Sequence, residues 1–127
     1  MIRRLAAFFV LASCAAQSGQ IAPRQVPRNF ASETPLYCAA FFGAEATTSK
    51  GRAARTATER AAAFRAVSLA IYGNRPEVDG LISQFQSELA ADLARPDHDI
   101  NGDTTMMRRD CATFARTQPE TRDLFAT

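Results

Sequence analysis

The sequence predicts an all-α protein, a small bundle of about four helices with one disulfide, and three observations carry that prediction. Val78, Leu81, Ile82, Phe85, Leu89 and Leu93 recur at i, i+3, i+4, i+7, i+11 and i+15, a continuous stripe on one helical face. Proline and glycine punctuate the chain at Thr34-Pro35, Lys50-Gly51, Gly73-Asn74, Arg95-Pro96 and Gln118-Pro119, which is helix start and stop chemistry. No run of alternating β-branched residues suggests a strand.

The elements follow in order. Met1-Ile2-Arg3-Arg4 leads into an apolar run from Leu5 to Ala12 and then Ser13-Cys14. A cationic start, an apolar stretch too short to span a bilayer and small residues after it make a secretory signal. Leu11-Ala12-Ser13-Cys14 resembles the lipobox of bacterial lipoproteins, a resemblance of four residues. It implies that Cys14 is acylated and becomes the new N-terminus, which holds the protein on a membrane. Ordinary cleavage near Ala16 is the other reading. Residues 1–16 are therefore expected to be the signal peptide. Residues 17–33, rich in Gln, Ser, Gly, Pro and Arg, read as a flexible tether. Residues 34–127 read as the helical domain.

Within that domain the first helix begins at Thr34-Pro35 and ends at Lys50-Gly51, with Leu36, Tyr37, Cys38, Ala40, Phe41, Phe42 and Ala44 as its apolar content. Phe41 and Phe42 are adjacent, so one is expected in the core and the other at its edge. The second helix runs from about Arg52 to Tyr72, with Ala57, Phe64, Val67 and Ile71 on one face. Pro76 opens the third, the stripe described above, and Arg95-Pro96 closes it. A fourth follows Asp103 with Met107, Cys111, Phe114 and Ala115 together, and Glu120 to Phe125 add a last short turn.

Removal of the signal takes Cys14 out of any pairing and leaves Cys38 and Cys111, which in an oxidising compartment pair most simply with each other. The bridge would close a loop of 73 residues and join the apolar faces of the first and last long helices. No Cys-x-x-Cys pair points to redox catalysis. Taking Arg3 and Arg4 from the 15 basic residues leaves 13 against 13 acidic, so the exported chain has no electrostatic footprint for nucleic acid.

One loop carries a mechanism. Asp97, Asp99 and Asn101 with Gly102 stand at positions one, three, five and six of what resembles the opening of an EF-hand. Asp103 would stand at position seven, where a backbone carbonyl coordinates calcium. Position twelve is Arg108 in place of a bidentate Glu, so water or a remote carboxylate would have to complete the shell. The plain alternative is an interhelical turn with Asp103 capping the fourth helix. His98, the single histidine, reads as a solvated loop residue, and Ser68 and Ser83 have no histidine in helical phase. Arg52, Arg55, Arg60 and Arg65 spread around the second helix and read as a solvated face.

Without a nucleophile, triad or cofactor motif, the expected function is that of a non-enzymatic protein of the periplasm or cell envelope, lipid-anchored through Cys14. It would work by binding another envelope protein as an accessory subunit, inhibitor or immunity protein. A calcium-binding or calcium-stabilised module built on Asp97, Asp99, Asn101 and Asp103 is the alternative.

Overall fold

The structure is a computed structural model that describes residues 24–126. The signal peptide, Cys14 and the first part of the tether lie outside the described residues. What is described is four α-helices, α1 (Thr34–Thr48), α2 (Gly51–Tyr72), α3 (Arg75–Leu93) and α4 (Asp103–Ala115), closed by a 3-10 turn at Arg122–Phe125. None of these helices is long and apolar enough to cross a membrane.

Most of the sequence signals hold, although α1 ends at Thr48 and Gly51, expected as its stop, is the first residue of α2. Gly73 ends α2 at φ 74° and Gly102 precedes α4 at φ 75°, left-handed conformations that a Cβ disfavours. Asn74 caps α3 by accepting from the Glu77 N–H at 3.1 Å. Thr121, fully buried, donates its hydroxyl to the Ala115 carbonyl at 2.7 Å and so satisfies the C-terminal end of α4.

α1 is the central element. It packs most extensively on α2 and α3 and meets α4 on its remaining side. Every residue from Cys38 to Ala44 is buried, as expected for a helix apolar all round. The two phenylalanines therefore do not divide between core and edge. Phe41 and Phe42 are both buried, because α1 has neighbours on opposite flanks. Gly43 lies where a methyl group would meet the Gln86 side-chain amide, so α3 comes close to α1 at this level.

The core is aromatic. Phe42 stacks on Phe64 with centroids 5.7 Å apart and meets Phe125 edge-on at 5.6 Å, while Phe64 continues to Phe114 at 6.3 Å. The Cys38–Cys111 disulfide joins α1 to α4 with Cα atoms 5.6 Å apart. Arg65 of α2 holds Asp79 of α3 through two parallel bonds of 2.7 and 3.0 Å.

The stretch from Arg24 to Glu33, expected as the end of a loose tether, is laid onto the domain. Phe30 meets Phe114 edge-on at 5.1 Å, Val26 packs against the same core, and Arg24 bridges Glu120 at 2.6 Å. Two apolar residues among the polar ones suffice to dock the segment, and Pro27 helps by accepting a turn bond from the Phe30 N–H at 3.0 Å.

Candidate functional site

The loop from Asp97 to Asp103 is wound as a series of tight turns. The His98, Ile100 and Gly102 N–H groups bond to the Arg95, Asp97 and Asp99 carbonyls at 3.2, 3.0 and 2.9 Å. Asp99 is committed to the start of α4. Its Oδ1 accepts from the Thr105 N–H at 3.1 Å and its Oδ2 from the Thr105 hydroxyl at 2.7 Å. Those two bonds hold its carboxyl below the ordinary value of 3.8. Asp97 lies 3.9 Å from Arg95, and Asn101 is exposed. Asp103 is the first residue of α4, so its carbonyl belongs to the helix ladder, and Asp99 supplies the cap that Asp103 was expected to give.

Of the four residues, Asp99 is engaged by Thr105 and Asp97 lies beside Arg95. Among the described residues, no group of three or more His, Cys, Asp or Glu side chains is arranged to hold a metal. His98 is half-buried and lines a small cavity together with Phe41, Leu89 and Met107. Thr104 donates its hydroxyl to the His98 carbonyl at 3.3 Å, which leaves the hydroxyl oxygen to accept from the ring Nδ1–H at 3.1 Å. The histidine thus ties the loop to α4.

Asp79, like Asp99, is held below 3.8, here by the Arg65 guanidinium. Each keeps its charge in the folded protein to a lower pH than in the unfolded chain. The stability they contribute is complete above that ordinary value and is lost as pH falls through the lowered folded-state value. Urea midpoints measured from about pH 6 to about pH 2 should stay level to about pH 4 and then fall. Replacing both with Asn should lower the plateau and flatten the fall; an unchanged profile would show that these bonds carry no stability.

Two surfaces stand out instead. The first lies along α1 and α3. Of the α3 stripe only Val78 is fully buried, while Leu81, Ile82, Phe85, Leu89 and Leu93 are half-covered. Tyr37, 42% exposed, stacks flat on Phe85 with centroids 4.4 Å apart. A hollow of about 190 Å³ at Tyr37 is lined by Glu33 and Asp110, and a second of about 270 Å³, between the starts of α1 and α3, by Glu33 and Glu77. Tyr72, at the second hollow, donates its hydroxyl to the Ser32 carbonyl. Burial, with the Glu33 carboxylate nearby, pushes its phenol up.

The second surface is a groove between the C-terminal end of α1 and the start of α2, bordered by Arg52, Arg60 and Arg108. The arginines of α2 were expected to spread around a solvated face. In the fold they part company: Arg65 pairs with Asp79, Arg55 is exposed, and Arg52 and Arg60 meet Arg108 from α4. Arg108, the residue that spoils the calcium loop at position twelve, pairs with Glu45 of α1. Only its helical phase, seen against the fold of α1, could have assigned it there.

The chain matches no protein-family model, no curated protein and no solved structure.

Proposed function

We propose that this is an exported protein of the bacterial envelope, anchored through Cys14, whose helical domain binds another envelope protein. The observation that carries this reading is the Tyr37–Phe85 face. A stacked aromatic pair left open beside a half-covered aliphatic stripe is the kind of surface that monomers usually bury and interfaces use. Glu33 and Asp110 beside Tyr37, with Glu77 at the second hollow, favour a partner that offers an apolar patch with a basic rim. Met1 to Cys14 support export, and a bridged Cys38–Cys111 pair suits an oxidising compartment.

A photo-cross-linking residue at position 37, introduced in the native cell, tests the binding face. One dominant envelope protein should be captured there, and Phe85→Ser on the same chain should abolish the capture. A probe in place of exposed Arg55 should capture nothing comparable. Equal products from positions 37 and 55, or none from either, would sink the docking face. Cys14→Ser should move the protein from the membrane to the soluble envelope fraction; an unprocessed cytoplasmic chain would sink export.

A further inference from the structure

The groove at the start of α2 encloses about 400 Å³, and its charges do not balance. Arg52 comes from the first turn of α2, Arg60 from about two turns further on, and Arg108 from α4. Among the described residues Glu45 is the one carboxylate lining the groove, and it is taken by Arg108. Arg52 and Arg60 form no ion pair among the described residues.

Arg60 is also held in a fixed pose. Its guanidinium lies 4.3 Å from the Phe125 ring centroid and 5.5 Å from that of Phe42, and its Nε is buried without an acceptor. Two rings within cation–π distance hold the guanidinium beside the groove, and its N–H donors suit an oxygen ligand. An orphaned buried donor on a preset cation costs stability unless something accepts from it. The N-terminus of α2 adds to the same field, since Lys50 provides no side-chain cap for its first N–H groups.

We propose that this groove binds a phosphate group. Two unpaired guanidinium groups beside a helix N-terminus suit about two negative charges, which a phosphate monoester carries and a single carboxylate does not. Guanidinium forks also match the oxygen spacing of phosphate. The group can arrive on a soluble ligand or as the monoester headgroup of an anionic lipid, and the chemistry of the groove is the same for both.

Titration of the isotope-labelled protein with inorganic phosphate, followed by nuclear magnetic resonance, tests the site. The Arg60 Nε–H signal and the Gly51 to Ala53 amides should shift saturably. Arg52→Gln, at an exposed position, should weaken the binding about tenfold. Glu45→Gln releases Arg108 and should tighten it about threefold. A merely structural role for these residues would not move the affinity in opposite directions. No saturable shift, the same shifts from sodium chloride at equal ionic strength, or weaker binding by both variants would overturn the site.

Flotation of the Cys14→Ser chain with vesicles separates the two sources without help from a lipid anchor. Binding to phosphatidic acid but not phosphatidylcholine vesicles, lost with Arg52→Gln, assigns the lipid headgroup. Saturable phosphate shifts without flotation assign a soluble phosphorylated ligand.

Discussion

Reduction of the Cys38–Cys111 bridge should lower the melting temperature of the domain by about 20 °C. The bridge closes a loop of 73 residues, and loop-closure entropy in the unfolded chain then amounts to about 4 kcal/mol. At this domain size each kcal/mol moves the midpoint by about 4–8 °C, and the whole stability of such a domain is about 5–15 kcal/mol. The position of the bridge adds to the expectation. α4 shares a much smaller packing surface with α1 than α2 and α3 do. Its other ties to the core are Phe114 and Ala115 with the half-buried Met107 and Ala112, and Arg108 on Glu45 outside. Melting curves of oxidised protein, reduced protein and a Cys38→Ala, Cys111→Ala variant check this. The reduced and alanine forms should fall together, and a loss below about 5 °C would mean that the unfolded chain is already compact enough to make the bridge redundant.

The helices and the bridge were legible because each rests on a local or compositional signal. The α2 face of Ala57, Phe64, Val67 and Ile71 is buried as its spacing predicted, and Gly73 stops the helix where a left-handed residue was expected. The relation between periodicity and burial was not legible. α3 has the most regular stripe and the poorest cover, whereas α1 has no clean stripe and is the most buried. Periodicity reports a difference between two faces of a helix, so a helix surrounded by neighbours shows none. The candidate sites were legible only in part. Asp97 to Asp103 looked like a ligand set because oxygen-bearing residues alternate there, yet capping α4 recruits the same residue types. Arg52, Arg60 and Arg108 meet across helices far apart in sequence, and no local pattern announces such a meeting.

Phe42→Ala should cost about 3–5 kcal/mol, the largest loss expected from any single side chain in this core. Its ring is fully buried and touches three others, with centroids 5.1 Å to Phe41, 5.7 Å to Phe64 and 5.6 Å to Phe125. Those rings come from α1, α2 and the closing 3-10 turn, so the cavity opens where three elements converge and none can shift alone to fill it. Phe85→Ala removes the same atoms from a half-covered position whose partner, Tyr37, is itself 42% exposed. Its transfer cost should be about 1 kcal/mol. Urea unfolding of the two variants therefore separates core from interaction surface. A steep loss for Phe42→Ala beside a small one for Phe85→Ala leaves the Tyr37–Phe85 face free to serve binding. Equal losses would make Phe85 a core residue and remove the surface on which partner binding rests. Phe42→Ala carries a second expectation, because its ring is one of the two beneath Arg60. At temperatures where the variant stays folded, a loosened Arg60 should weaken phosphate binding, while Phe85→Ala should leave it unchanged.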